Sequence, residues 1–213
     1  MRKIFVLGVF LFAASFAFSE PVSFGLLASW APLEENYQSV SFLGTPETAD
    51  YTFETLGVRA FADLTYVEAS IGYRAAVTQL STAVTISGTS IPTVTTSYSI
   101  NLIDLRLVGK YPFYFASFRV FPLAGVAKDS CLSGSGNGTA FTSDQINSAS
   151  PWYVLAGVGG DYRINKQLYV RTELTAAYNL TSEQSSSFYT GATYQSSTGW
   201  QVQLAAGIGY SLD

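Results

Sequence analysis

Charged side chains at even spacings are the residues of this sequence with the clearest capacity for chemistry. Asp104, Arg106 and Lys110 are all even-numbered within one short segment, and residues an even number apart in a β-strand point to the same face. A buried face that carries both signs of charge requires mutual pairing. The full set predicted on such faces is Arg59, Arg74, Arg106, Lys110, Arg119, Arg163, Arg171, Asp63, Glu68, Asp104, Asp161 and Glu173.

The sequence lacks the residues that most catalytic sites require. It contains no histidine, which excludes Ser-His-Asp chemistry, Cys-His pairs and histidine metal sites. Its single cysteine, Cys131, has no disulfide partner within the chain and is predicted to lie in a loop. We therefore predict no catalytic residue, no metal site, no cofactor and no enzymatic activity.

The composition favours a membrane protein that crosses the bilayer with strands. Of 213 residues only 12% are charged and 15% are aromatic, and the mean hydropathy is +0.23. A soluble domain usually has about 25% charged residues. After the N-terminus, no apolar run approaches the roughly 18 residues that indicate a transmembrane helix. High apolarity without such a run is typical of a membrane β-barrel, in which apolar and polar residues alternate.

Residues 1–19 are predicted to be a signal peptide. Arg2 and Lys3 precede an apolar run, and the small residues Ala17 and Ser19 flank the expected cleavage site. The mature chain would then span residues 20–213. Subtracting Arg2 and Lys3 from the eleven basic residues leaves nine against fifteen acidic ones, and this acidic balance argues against a nucleic-acid partner.

Eight segments are predicted to be strands, and most of them show period-two alternation of apolar and polar residues, although strand four is less regular and strand five has Phe and Leu on both faces. The last segment, Trp200 to Leu212, shows it most clearly, because its even-numbered residues are apolar and its odd-numbered residues are polar or small. Such alternation predicts strands with one apolar face. Strand five is expected over about 115–127, and polar loops are expected over 33–51, over 128–150 and in the Ser-rich stretch before Trp200.

Long and short connections alternate between the eight predicted strands, as they do in outer-membrane barrels. The predicted fold class is all-β, an eight-stranded antiparallel up-and-down transmembrane β-barrel with four long external loops. Trp30, Trp152 and Trp200 would then form an aromatic girdle at the external membrane interface, and Tyr162 and Tyr210 at the periplasmic one. The alternative is a soluble β-sandwich or lipocalin-like calyx with its apolar face inward.

The interior of so narrow a barrel is filled by side chains or holds one small ligand. Near the periplasmic end we expect a floor of ion pairs, which would be either a structural plug or a selective ion path. Its predicted residues are Arg59, Glu68, Arg106, Asp161, Arg171 and Glu173. Towards the external end, inward apolar residues would form either simple packing or a pocket for a small hydrophobic molecule. These residues are Leu27, Phe53, Leu123, Tyr153 and Leu155.

The register of the hairpin between strands six and seven follows from the parity of its residues. Directly paired residues face the same side, so the numbers of a pair must sum to an even value. A three-residue turn over 165–167 satisfies this and pairs Ile164 with Leu168. Asn165 or Lys166 would take a left-handed conformation there. The same register sets Asp161 opposite Arg171.

Two features of the sequence resemble known outer-membrane barrels. The C-terminal Gly207, Tyr210 and Leu212 resemble the insertion signal of that class, which implies recognition by the barrel-assembly machinery through the last strand. The stretches LRLVGKYPF, RVFPLAGVA and GVGGDYRIN, at 105–113, 119–127 and 157–165, resemble the OmpW branch of the OmpA/OmpX/OmpW type. This resemblance implies residence in the outer membrane of a diderm bacterium. It also implies passage of small hydrophobic compounds through the lumen with lateral exit.

A non-conducting surface protein for adhesion or structural support is the second functional hypothesis. Its partner would be a host surface molecule contacted by the polar external loops, in addition to the lipid bilayer around the barrel. The acidic residues assigned to those loops are Glu34, Glu35, Glu47, Asp50, Asp129, Asp144 and Glu183.

Overall fold

The structure is a computed structural model that describes residues 22–42, 45–82, 85–86, 89–90, 94–148, 150–180 and 192–212. The predicted signal peptide lies outside these ranges. The strands and the one helix of the described residues are β1 (Val22–Phe42), β2 (Thr45–Asp63), β3 (Val67–Thr82), β4 (Thr85–Ile86), β5 (Thr89–Ser90), β6 (Val94–Lys110), β7 (Phe113–Phe115), β8 (Phe118–Gly136), β9 (Thr139–Ala140), α1 (Ser143–Ser148), β10 (Trp152–Arg163), β11 (Leu168–Asn179) and β12 (Ala192–Leu212). No helix in this part of the chain is long and apolar enough to cross a membrane.

Eight of these strands form a closed antiparallel barrel. Their order is β10-β11-β12-β1-β2-β3-β6-β8, and β8 pairs with β10 to complete the circle. The first and last barrel strands pair along most of their length, from Val22 opposite Leu212 to Phe42 opposite Ala192. The predicted fold class, an all-β eight-stranded up-and-down barrel, is therefore confirmed.

The apolar face of the barrel points outward. Leu26, Leu56, Val58, Ile71 and Ile208 all expose more than half of their surface on the outer wall. Their polar and small neighbours along each strand point into the lumen and are mostly buried. A soluble calyx would show the opposite arrangement, because its apolar face would be inside. The outward apolar face is the one that a membrane barrel presents to lipid.

The strands extend further than the apolar alternation predicts. The stretch predicted as a loop over 33–51 belongs mostly to β1 and β2, which pair as far as Phe42 opposite Thr45. Pro32 lies at a register shift and does not end β1, consistent with the tolerance of proline at bulges. Likewise β8 continues to Gly136 and β12 begins at Ala192. Beyond the membrane, a strand can pair through its backbone without an apolar face. The alternation of apolar and polar residues therefore stops before the strand ends.

The hairpin between β10 and β11 has the predicted register. Asp161 pairs with Arg171, and the Ile164 backbone N–H donates to the Leu168 carbonyl at 2.9 Å. The prediction of a left-handed Asn165 or Lys166 is wrong, because neither has a positive φ. The Asn165 side chain instead closes the turn, since its Oδ1 accepts from the backbone N–H groups of Gln167 at 2.9 Å and Leu168 at 2.7 Å.

The turn before β8 also differs from the prediction. Strand five was expected to begin near Phe115, but β7 ends there and β8 begins at Phe118. Ala116, with a φ of 49°, makes the tight connection between them. Because β7 pairs with β8 up to Phe115 opposite Phe118, the short turn is only two residues long.

Candidate functional site in the barrel lumen

Six charged side chains close to the short turns form what we call the floor cluster. Three are acidic and three are basic, so the cluster is electrically balanced. All six come from different strands and converge inside the barrel, where each is buried except for the partly exposed Arg119. The members of the floor cluster are Asp63, Glu68, Lys110, Arg119, Asp161 and Arg171.

Arg171 lies at the centre of the floor cluster and is fully buried. Its Nε donates to Asp161 Oδ1 at 2.8 Å, its Nη1 to Glu68 Oε2 at 2.5 Å, and its Nη2 to Asp63 Oδ2 at 2.6 Å. Charge-assisted bonds of this kind are stronger than those between neutral groups. One guanidinium therefore ties together carboxylates from β10, β3 and β2.

The two other cations give every floor carboxylate a second partner. Lys110 Nζ lies 2.6 Å from Asp63 Oδ2 and 3.2 Å from Glu68 Oε2. Arg119 contacts Asp161 and lies 3.1 Å from Asp63 Oδ2. The buried acids of the floor are thus shared among several cations, which satisfies the requirement that buried charges be paired and hydrogen-bonded.

Three aromatic side chains enclose the floor cations. The Arg171 Cζ atom lies 4.4 Å from the ring centre of Phe61, 5.2 Å from that of Phe121 and 5.3 Å from that of Tyr169. Lys110 Nζ lies 4.6 Å from the Phe121 ring centre. A cation this close to a ring face is attracted to it. The rings also fill the space around the charges with apolar surface.

Six further charged side chains are buried in the lumen, and we call them the upper charges. Along most of the strands that contribute them, they lie further from the short turns than the floor cluster does. This set is also balanced, and its members are Arg59, Arg74, Asp104, Arg106, Asp129 and Glu173.

The upper charges are joined in smaller sets. Arg59 contacts Glu173, and Arg74 contacts Asp129. Arg106 Nη2 lies 2.8 Å from Asp104 Oδ2, which is 3.8 Å from Arg74 Nε.

The structure divides the residues predicted for the floor between these two groups. Glu68, Asp161 and Arg171 belong to the floor cluster, whereas the remaining three belong to the upper charges. Those three are Arg59, Arg106 and Glu173.

The side chains of two charged residues near the lumen, Arg163 and Asp129, do not lie where the sequence predicted them. Arg163, predicted to face inward, is exposed at the end of β10, where the barrel interior ends. Asp129, assigned to an external loop, is buried on β8 with Arg74. Asp129 continues the inward odd-numbered series of β8, which includes Phe121 and Leu123, so parity could have identified it had the strand been extended.

The residues predicted to form an apolar pocket lie in two separate clusters. Leu123, Tyr153 and Leu155 pack with Val108, Phe121, Ala127 and Ala177. Leu27 instead packs with Phe61, Tyr169 and Ala205 beside the floor. Phe53 is in β2, but its side chain lies outside those that the structure describes. The four described pocket residues are nearly fully buried by their neighbours.

A cleft of about 660 Å³ lies on the outer wall of the barrel. It is lined mainly by outward-facing residues, including Ala28, Val158, Leu174 and Leu204. None of the five residues predicted for the apolar pocket lines it. This cleft therefore opens on the lipid-facing side and is distinct from the predicted lumenal pocket.

All five residues predicted for the aromatic girdles are exposed on the outer wall. Trp30 Nε1 donates to Glu54 Oε1 at 2.6 Å, and an outward carboxylate at this height favours the membrane interface over the hydrocarbon. The other four are Trp152, Trp200, Tyr162 and Tyr210. Tyr162 and Tyr210 pack against Phe118 and Phe24, with ring centres 4.9 and 5.8 Å apart.

The outer-membrane character of the fold is supported by comparison with solved structures. No protein-family model matches the chain, and no curated protein matches its sequence. The crystal structure of Neisserial surface protein A is similar with a TM-score of 0.50 and 12% identity, over 91% of this chain and 100% of that one. The outer-membrane protein OprG of Pseudomonas aeruginosa is similar with a TM-score of 0.51 and 9% identity, over 90% and 95%. The described residues contain no group of three or more Cys, Asp or Glu residues placed to hold a metal ion. The chain has the fold of the small eight-stranded outer-membrane β-barrels.

Proposed function

We propose that this protein is an integral outer-membrane barrel with a closed lumen, which acts by presenting its external segments at the cell surface. The observation that carries the proposal is the floor cluster, in which Arg171 joins three carboxylates from three strands across the lumen. A conducting pore must bind ions weakly enough to release them. The charges of the floor cluster are already paired with each other, so they leave no free charge to which a passing ion could bind.

The bilayer is the first partner that this proposal implies. The outward residues supply a continuous apolar surface, and the aromatic side chains at its edges suit the two interfaces. Insertion would proceed through the barrel-assembly machinery acting on β12. The absence of histidine from the sequence supports the further proposal that the protein is not an enzyme.

Two experiments test this function. The protein should resist carbonate extraction from outer membranes and migrate faster on SDS gels before boiling than after. In a liposome-swelling assay, vesicles that contain it should take up small sugars no faster than empty vesicles. Release as a soluble periplasmic protein would contradict the membrane location, and rapid swelling would contradict the closed lumen.

Binding of a small hydrophobic molecule is the second candidate function, and the OmpW-like resemblance belongs with it. The observation in its favour is the uncharged cluster of Leu123, Tyr153 and Leu155 on the β8 and β10 side of the lumen. Ala177 is a buried member of this cluster. If a ligand binds among these side chains, a larger side chain at position 177 should prevent its binding. Ala176 faces lipid and provides the matched control.

Binding of a fluorescent apolar probe would decide between the two candidates. A ligand site predicts saturable binding to the wild type, loss of binding in Ala177→Leu and retention in Ala176→Leu. Heat-modifiable migration should first establish that both variants are folded. If the wild type shows no saturable binding, the result favours the first candidate, a closed barrel that presents its external segments at the cell surface.

A further inference from the structure

Three buried side chains of the lumen, Arg59, Glu173 and Gln203, meet and leave polar atoms unused. Arg59 Nη2 contacts Glu173 Oε2, and Arg59 Nη1 donates to Gln203 Oε1 at 3.3 Å. Arg59 Nε, Glu173 Oε1 and Gln203 Nε2 have no hydrogen-bond partner among the described residues. The residues are 2%, 6% and 2% exposed, so bulk solvent does not satisfy these atoms. Buried polar atoms without partners are uncommon in folded proteins and require an explanation.

The unused atoms belong to an incomplete ion pair. An arginine and a carboxylate often form two parallel bonds. Here Arg59 and Glu173 form one, which leaves one donor, Nε, and one acceptor, Oε1. Rotating the Gln203 amide would not resolve the mismatch, because its NH₂ group would then face the Arg59 guanidinium, which has no acceptor. The unused atoms of these three contacting side chains therefore call for a further hydrogen-bonding partner.

We propose that Arg59, Glu173 and Gln203 form an internal water site in the lumen. The unused atoms are two donor nitrogens, Arg59 Nε and Gln203 Nε2, and one carboxylate oxygen, Glu173 Oε1. A water molecule can accept from both donors and donate to the carboxylate, and buried waters usually make about three such bonds. A bound anion would be repelled by Glu173, and a bound cation would face the donors of Arg59 and Gln203. Only a small neutral group that both donates and accepts matches all three atoms.

This water site distinguishes Arg59 from Arg171, the central cation of the floor cluster. Arg171 Nε donates directly to Asp161 Oδ1 at 2.8 Å and has no bond left for water. The two guanidiniums therefore provide an internal comparison within one protein. Both are buried arginines of the lumen, but only Arg59 should contact a water molecule.

The test is nuclear magnetic resonance of isotope-labelled protein in lipid nanodiscs. Rotating-frame cross-relaxation between water and the side-chain N–H groups should give a cross-peak at Arg59 Nε and at Gln203 Nε2. Arg171 Nε should give none. Absence of water cross-peaks from both Arg59 and Gln203, or equal cross-peaks at Arg59 and Arg171, would overturn the proposal.

A variant sharpens the assignment to this site. Gln203→Leu keeps a side chain of similar size but removes one donor to the water, so the Arg59 Nε cross-peak should fall at least several-fold. Thr175→Val, on the strand position opposite Gln203, is the matched control and should leave the peak unchanged. An undiminished peak in folded Gln203→Leu would show that the water is bound elsewhere. If Gln203→Leu does not fold, the wild-type comparison of Arg59 with Arg171 still decides.

Discussion

The floor cluster and the upper charges differ in how their buried charges are paired. Each places three cations and three anions inside a narrow barrel, where unpaired charge is costly. In the floor, Arg171 bonds to three carboxylates and each of these has at least one further cation. Among the upper charges, Glu173 pairs with one cation of the described residues, Arg59, and retains an unused oxygen. The floor is a shared network, whereas Arg59 and Glu173 form a more isolated pair.

Under the proposed function, this difference separates the part of the lumen that is closed from the part that can hold water. A fully satisfied network of charges is rigid and specifies one arrangement. The aromatic rings of Phe61, Phe121 and Tyr169 add apolar surface around the floor cations. The pair of Arg59 and Glu173 leaves polar atoms available, so hydration is expected there. Substitutions in the two regions should therefore have different consequences.

The largest effect is expected from Arg171→Met. The change removes three ion-pair partners at once, and loss of one member of a buried charge pair costs about 3–5 kcal/mol. Unfolding by urea in lipid vesicles should show a decrease of this size in the free energy of unfolding. Lys166→Met, in the exposed turn of the same hairpin, is the control and should have little effect. A loss at Arg171 no larger than that at Lys166 would contradict a central role for Arg171.

Leu174→Arg should be the next most destabilising change. Leu174 adjoins Glu173 but faces lipid, and on β11 it lies between the levels of Tyr210 and Trp200, so a charge there has no network to enter. An arginine on the lipid face near mid-bilayer costs about 2–4 kcal/mol. The same urea titration should show this loss, while Leu132→Arg, on the part of β8 beyond the membrane, should cost much less. Equal losses at both positions would mean that the membrane is placed wrongly on the barrel.

Double substitutions should separate the shared network from the isolated pair. Glu173→Gln should recover most of the stability lost in Arg59→Met, because Glu173 is the only carboxylate in the described part of the chain that Arg59 pairs with directly. Asp161→Asn should recover a smaller share of the Arg171→Met loss, because Asp63 and Glu68 remain. Interaction energies of about 0.5–3 kcal/mol are typical of contacting residues. If both double substitutions recover the same fraction of the lost stability, Arg59 and Glu173 are no more isolated than the members of the floor cluster.

The smallest effects should come from two hydrogen bonds made by hydroxyl side chains, outside the ion pairs. Tyr169 OH donates to Ser23 Oγ at 3.0 Å in the floor, while Arg74 Nη1 is 3.4 Å from Thr55 Oγ1 among the upper charges. Tyr169→Phe should cost about 0.5–1.5 kcal/mol, the usual net value of a hydrogen bond. Thr55→Val should cost less because its bond is at the limit of hydrogen-bond distance. The opposite order in thermal unfolding would indicate that the upper region is the tighter one.

Much of the barrel wall was predictable because its alternation is a local property. The parity of β10 and β11 predicted the pairing of Asp161 with Arg171, and the outward aromatic residues followed from the same count. The extension of β8 was missed because its residues beyond Lys128 are small or polar and show no apolar face. Asp129 was assigned to a loop for that reason.

The contacts across the lumen could not be predicted from alternation. Arg171 and Asp63 are 108 residues apart in sequence, and their contact depends on the tilt and stagger of the strands around the barrel. Alternation shows which way a side chain points but not how high it lies in the lumen. For this reason the six residues predicted as one floor are divided, and Leu27 is beside the floor instead of with Leu155.

The most direct test of the closed lumen is the conductance of the wild-type protein in planar lipid bilayers at neutral pH. The pairing in the floor cluster predicts little steady current at either polarity, even after insertion is verified by heat-modifiable migration of the same preparation. Arg171→Met, if it inserts, should raise the current above that of the wild type. Large and stable channels formed by the wild type would contradict the closed barrel.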